Sequence, residues 1–186
     1  KEDNLKELIK IAEFIKEKYN LSIELISGGN SSSLHLLLDG KNIQGINNLR
    51  LGESLVLGLE TAYGNRIDNT FDDVFKLIAE IIEVKEKPSV PIGEIGRDAF
   101  GETPIFVDRG IRKRIICGLG RQDVQIDSLI PVDKNIIILG ASSDHLILDG
   151  TDSSIDYKVG DNIEFKLTYG GILSTMTSEY VKKEIM

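Results

Sequence analysis

Residues 25–34 read LISGGNSSSL: a hydrophobic run that passes directly into two glycines, an asparagine and three serines. Ser27, Gly28, Gly29, Asn30, Ser31, Ser32 and Ser33 are small residues with backbone N–H groups that approach a ligand closely and hydroxyls that donate to it. An anion, and above all a phosphate, suits such a loop. An ordinary polar loop with a serine helix cap reads the same way. A second stretch, RLGES at 50–54, repeats the chemistry with Gly52 after another apolar segment. Two such loops, about 20 residues apart after neighbouring strands, favour the phosphate, because barrel phosphate sites gather at loops after consecutive strands.

Outward from these loops, DNLKELIKIAEFIKEKY (3–19) places Leu5, Leu8, Ile9, Ala12 and Ile15 on one stripe of a helix, with Asp3 or Asn4 as its cap. LSIELIS (21–27) is expected as a short strand, and NLRLGESLVLG (48–58) as a second strand and turn. Helix, strand, loop, strand at this spacing is an α/β pattern with parallel strands. After about residue 71 the texture becomes β-rich. VFKLIAEIIEVKEKPSVPIG, RKRIICGLG, KNIIILGA, DHLILDG and DYKVGDNIEFKLTYG are short runs divided by Gly, Pro and Asp, as in an antiparallel sheet or barrel. The closing TSEYVKKEIM suits a strand or a short helix. A boundary is expected near Asp72, giving domains 1–71 and 72–186.

The 186 residues are 41% hydrophobic and 28% charged, which supports a packed core, and the formal net charge of −8 disfavours general nucleic-acid or membrane-surface binding. Cys117 is the single cysteine, so no internal disulfide forms, and a reducing, cytoplasmic setting is expected. With only His35 and His145 beside it, a Cys/His zinc site lacks ligands, and no metal is expected. No apolar run reaches membrane-span length and no signal peptide is seen. The chain opens on KEDNLKELIK without a methionine, as a fragment would.

Several motifs occur in a fixed order: SGGNSSSL, NLRLGES, EKPSVPIGEIG, DAFG, GIRKR, LGRQD, GASSDHLILD and YKVGD. Together they resemble the alanine racemase family of pyridoxal-phosphate enzymes, most closely the subgroup that contains ornithine racemase. The resemblance spans nearly the whole chain. It implies the C-terminal part of a TIM-like (β/α) barrel followed by a β-rich domain. It also implies amino-acid racemisation by removal and return of the α-proton, with ornithine as substrate. Alanine, lysine or another amino acid, or a non-catalytic pyridoxal-phosphate-binding protein of the same fold, are the alternatives. A β-rich interaction module with structural Gly/Ser loops is the alternative from another class.

By position, the resemblance implies that Ser31 bonds the cofactor phosphate with Asn30 and Ser32 beside it, and that Gly52 and Glu53 offer it backbone N–H groups. Arg50 would face the pyridine nitrogen, where a guanidinium donates without protonating its partner. Backbone near Ser143 would touch substrate carboxylate, Tyr180 would lie near the phosphate, and Asp144 and His145 would organise their turn or act in catalysis. A complete protein is expected to dimerise, with GASSDHL presented to the other subunit.

Two departures stand out. No segment matches the one that carries the family's cofactor-anchoring lysine, so the first half of the barrel is expected to be missing, and this stretch alone is expected not to racemise. Where the family places a catalytic tyrosine in a GY-x-D setting, this chain has GRQD, with Arg121 in that place. A permanently charged guanidinium is not a base. Asp123, Cys117, His145 and Glu94 are left as candidates for the second base, and Asp123, Asp144 and Glu94 as carboxylates for a substrate ammonium.

Overall fold

The computed structural model describes residues 1–41, 44–97, 101, 103 and 105–185. Asp98, Ala99 and Phe100 of the DAFG motif lie outside the described residues. The chain divides into two compact units, Lys1–Val74 and Phe75–Met186.

The first unit opens with α1 (Glu2–Tyr19). Ala12 is buried on the predicted stripe, with Leu5, Leu8, Ile9 and Ile15 half-buried around it. Neither Asp3 nor Asn4 caps the helix: Lys1 holds the cap position and no side chain bonds there. Glu2 and Asp3 in the first turn and Lys16 and Lys18 in the last instead complement the helix dipole. Asn20, left-handed at φ 50°, ends α1 with its N–H on the Lys16 carbonyl.

Strands β1 (Ser27–Asn30) and β2 (Asn48–Arg50) pair in parallel, with Ser27 opposite Asn48 and Asn30 opposite Arg50. The expected strand over 21–27 is thus displaced, because the ladder begins only at Ser27. The reason is one side chain. Asn47 Oδ1 accepts the Ile26 N–H (2.8 Å) and its Nδ2 donates to the Glu24 carbonyl (2.7 Å), satisfying that backbone without a ladder. A 3-10 turn (Ser31–Ser33) runs into α2 (Leu34–Leu38), and Gly52 leads from β2 into α3 (Glu53–Leu57). Beyond α3, Glu60 is 2% exposed, and its carboxylate accepts the N–H groups of Ala62, Tyr63 and Asn65 at 2.9–3.2 Å. Burial raises its pKa, but the backbone donors prevail and hold it below the usual glutamate value.

The second unit is a six-stranded antiparallel sheet in the order β5-β8-β3-β4-β7-β6. Its strands are β3 (Lys76–Pro88), β4 (Ile111–Cys117), β5 (Leu129–Pro131), β6 (Ile137–Ala141), β7 (Leu146–Asp149) and β8 (Asn162–Leu167). Strand β3 pairs with β8 over 76–80 and with β4 over 81–88, with a register shift between Ile81 and Glu83. Period-two alternation buries Leu77, Ala79 and Ile81 on one face. They join Ile115, Cys117, Leu146, Leu148, Ile163 and Phe165 in the core. The closing segment is neither strand nor helix over 178–185; a helix, α4 (Tyr169–Thr177), precedes it instead. Gly171 lets α4 come close, since a Cβ there would sit 2.9 Å from Ser128 Cβ and 3.0 Å from Leu167 Cδ2.

At the β4–β7 pairing, the nearly buried Asp149 carboxylate receives Arg112 Nε (2.8 Å) and both the N–H (3.0 Å) and hydroxyl (2.6 Å) of Thr151. Burial pushes its pKa up, yet the bonds from Thr151 and Arg112 outweigh this and leave it below the usual aspartate value. A depressed carboxylate pKa contributes stability above the unfolded-state value, and that stability is lost as pH falls through the folded value. Asp149→Asn should therefore lower unfolding free energy by about 1–3 kcal/mol at pH 7. The gap from the parent should narrow as pH drops below about 4, measured by denaturant titration at each pH.

Cys117 is fully buried in β4, and burial pushes its thiol up to about 12. This removes it as a second base, since burial excludes a thiolate there from water. A thiol-alkylating reagent at pH 8 should leave Cys117 intact in the folded protein and modify it on unfolding, as read by intact mass.

Candidate functional site

The two Gly-bearing loops converge as the sequence suggested. Gly29, inside β1, adopts φ +126°, and a Cβ there would also strike Ser33 Oγ at 2.3 Å. Asn30 then caps the 3-10 turn, its Oδ1 accepting from Ser32 N–H (3.0 Å) and Ser32 Oγ (2.8 Å). This turn buries Ser31 at the carboxyl end of β1.

Ser31 Oγ collects three donors from the loop after β2: Gly52 N–H (3.2 Å), Ser54 N–H (3.2 Å) and Ser54 Oγ (3.1 Å). Two backbone amides and two hydroxyls thus meet at the carboxyl ends of two parallel strands. That donor set fits a phosphate, which accepts through several oxygens and needs no cationic side chain where amides converge. Ser54, 3% exposed, is the member that the sequence reading missed. It closes the quoted RLGES, but nothing in that string distinguishes a hydroxyl turned inward from a solvated one. Glu53, half-buried, begins α3 between Gly52 and Ser54. Arg50 ends β2 exposed, with Nη1 on the hydroxyl and carbonyl of Ser27. A cavity of about 340 Å³ in this unit is lined by Leu5, Gly28, Ser33, Leu36, Leu37, Lys41, Ile46, Asn47, Asn48 and Leu49; neither Ser31 nor Arg50 lines it.

The second unit brings the GRQD and SSDH strings together. Arg121 N–H donates to the Ser142 carbonyl (3.0 Å) and Gln122 N–H to the Ser143 carbonyl (2.9 Å). Gly120 is required where the two turns touch, since a Cβ would lie 2.3 Å from Ser143 O and Asp144 N. Arg121, Asp123, Ser143, Asp144 and His145 therefore share one cluster. Within it Arg121 Nε donates to the Ala141 carbonyl, and the buried Asp123 holds its own turn through Oδ2 on Gly120 N–H (2.8 Å). Asp144 Oδ1 accepts from the Ser142 (3.0 Å) and Ser143 (3.2 Å) hydroxyls and lies 2.9 Å from His145 Nδ1. The Ser142 bond first, and His145 second, hold Asp144 below the usual aspartate value. Glu94 is exposed on the segment after β3. Tyr180 is 76% exposed in the closing segment, its N–H on Ser178 Oγ. Among the described residues no group of three or more His, Cys, Asp or Glu is placed to hold a metal, and no helix is long and apolar enough to cross a membrane.

No protein-family model matches the chain. It is 54% identical to an ornithine racemase of Acetoanaerobium sticklandii over 186 residues, all of this chain and 53% of that protein. It is 49% identical to a lysine racemase of Thermotoga maritima over 176 residues, 95% of this chain and 49% of that protein. The chain thus spans about half the length of the curated relatives it matches. Among solved structures, an alanine racemase from Bartonella henselae with covalently bound pyridoxal phosphate superposes with a TM-score of 0.55 at 19% identity, covering 87% of this chain and 42% of that one. The chain has the alanine racemase-like fold, an α/β part followed by a β-rich domain, and over its whole length its sequence is similar to that of an ornithine racemase.

Proposed function

We propose that the whole protein is a pyridoxal-phosphate-dependent amino-acid racemase that interconverts L- and D-ornithine. The observation that carries this reading is the convergence of Gly52 N–H, Ser54 N–H and the Ser54 hydroxyl on Ser31 Oγ, in a chain 54% identical to an ornithine racemase. In this reading residues 1–71 are the last part of a (β/α) barrel and 72–186 are the β-domain. The remaining barrel strands and the cofactor-anchoring lysine come from the part of the protein that matches the other half of its relatives.

Bound pyridoxal phosphate supplies a sink for the electron pair left at Cα when its proton departs. The residues of this chain seat and tune it. Ser31, Ser54 and the amides of Gly52 and Glu53 hold the phosphate, with Asn30 and Ser32 shaping the loop. Arg50 would donate to the pyridine nitrogen, and because a guanidinium keeps its proton it would leave the sink weak, which would favour simple proton exchange over deeper bond rearrangement. Tyr180 is assigned near the phosphate by the same reading.

His145 is the best second proton carrier among the candidates. It is half-exposed, and Asp144 Oδ1, 2.9 Å from Nδ1, favours the tautomer protonated there, which leaves Nε2 the basic nitrogen. Ser143 backbone meets the substrate carboxylate, and Asp144, not the turn-bound Asp123, is the carboxylate for a distal ammonium. The whole protein is a cytoplasmic homodimer in this reading, with the 141–146 segment facing the partner's site. The 49% identity to a lysine racemase makes lysine the second substrate to test.

The test is loss of optical activity of L-ornithine, and of L-lysine in parallel, by the full-length protein with pyridoxal phosphate. Turnover of ornithine with a several-fold preference over lysine is expected. Cofactor binding without turnover would leave a non-catalytic binding protein, and no cofactor binding would leave an interaction module. Ser31→Ala strands two amides and should weaken pyridoxal-phosphate binding roughly tenfold, as measured by absorbance titration. Affinity equal to the parent's would remove Ser31 from the phosphate site.

A further inference from the structure

Arg50 does not project freely from the end of β2. Its Nη1 donates to Ser27 Oγ and, at 3.4 Å, to the Ser27 carbonyl. Both acceptors belong to one residue on the neighbouring strand. The Ser27 hydroxyl in turn donates to Asn48 Oδ1 at 2.7 Å, and Ser27 and Asn48 are register partners across the parallel pair. A hydroxyl has one proton and two lone pairs. With the proton committed to Asn48, a lone pair is turned toward the guanidinium. Asn48 and Arg50 stand two apart on β2, so their side chains leave the same face of the strand. The three residues form a relay across both strands: Asn48 orients Ser27, and Ser27 orients Arg50.

We propose that Ser27 is a positioning residue for Arg50, holding Nη1 against β1 so that the remaining guanidinium N–H groups face a fixed aromatic-nitrogen acceptor. The proposal rests on the reading above, in which that acceptor is the pyridine nitrogen of pyridoxal phosphate. A guanidinium is planar, so anchoring one end fixes the plane and with it the direction of every other donor. Without the anchor, a long exposed side chain samples several rotamers. The nitrogen then loses its constant partner to water and takes up protons more readily. Ser27 also lies outside the cluster of donors around Ser31 Oγ, so its removal leaves the phosphate contacts in place.

The experiment is a pH series of absorbance titrations of the full-length protein with pyridoxal phosphate. It compares the parent with Ser27→Ala, Ser27→Thr, Arg50→Ala and the Ser27→Ala/Arg50→Ala double variant. Ser27→Ala should weaken cofactor binding roughly tenfold, the scale of one charge-assisted hydrogen bond, and shift the pH dependence of the bound cofactor's spectrum. Ser27→Thr, which keeps the hydroxyl, should restore both. In the Arg50→Ala background, Ser27→Ala should change neither. An undiminished Ser27→Ala effect without Arg50 would overturn the proposal, as would a Ser27→Ala protein that matches the parent. Should Ser27→Ala fail to fold, Asn48→Ala decides: it frees the Ser27 proton and should shift the spectrum in the same direction, and no shift overturns the relay. A parent that does not bind pyridoxal phosphate removes the proposed function and this inference together. A parent that binds, with a silent Ser27→Ala, removes only the positioning role.

Discussion

The β-rich unit depends on the transfer of one long strand between two partners. Strand β3 leaves β8 and joins β4 at Ile81, whose side chain is fully buried. There the Ile81 N–H donates to the Asp161 carbonyl and the Ile81 carbonyl accepts from Gly160 N–H, while Gly118 N–H reaches the Glu80 carbonyl. Neighbouring turns thus take up the backbone groups of Ile81 and the Glu80 carbonyl at the point of transfer. An unpaired amide at the centre of this core would cost more than most single packing contacts contribute. The order of the remaining strands follows from this continuous spine: β8 and β5 on one side, β4, β7 and β6 on the other.

The α/β unit is organised differently. Its two strands are short, and polar side chains replace much of the ladder. Asn47 serves the backbone before β1, Glu60 gathers the amides of its turn, and Ser31 ties the loop after β1 to the loop after β2. Each of these side chains occupies backbone groups that would otherwise need water or a ligand. Donors held in place by a hydroxyl need little reorganisation when another acceptor replaces it.

Periodicity made α1 and the β-rich second unit legible, and the paired Gly-bearing loops do meet after the two parallel strands. What escaped the sequence reading turned on side chains that bond to distant backbone. Asn47 moved β1 to the end of its hydrophobic run, and Ser54 looked like any small residue after a glycine. Asp123 and Cys117 had the right chemistry for a base, but one is committed to Gly120 N–H and the other is shut inside β4. Composition cannot report such commitments, since they depend on which atoms tertiary contact leaves over. The helix α4 was hidden for a related reason: YGGILSTMT carries two glycines that weaken local helix preference, and close packing of Gly171 against Ser128 and Leu167 offsets it.

The contact at Gly120 has a bearing on how this protein tolerates change. Two strings that are 20 residues apart in the chain meet backbone to backbone, with no room for a single added carbon. Structurally they behave as one object. A library that randomises 121–123 while holding 142–145 fixed samples the shapes of only half a surface, and loop grafts that carry one string without its mate import a mismatch at the glycine. Changes to either turn in this scaffold should be made by exchanging both as a matched pair.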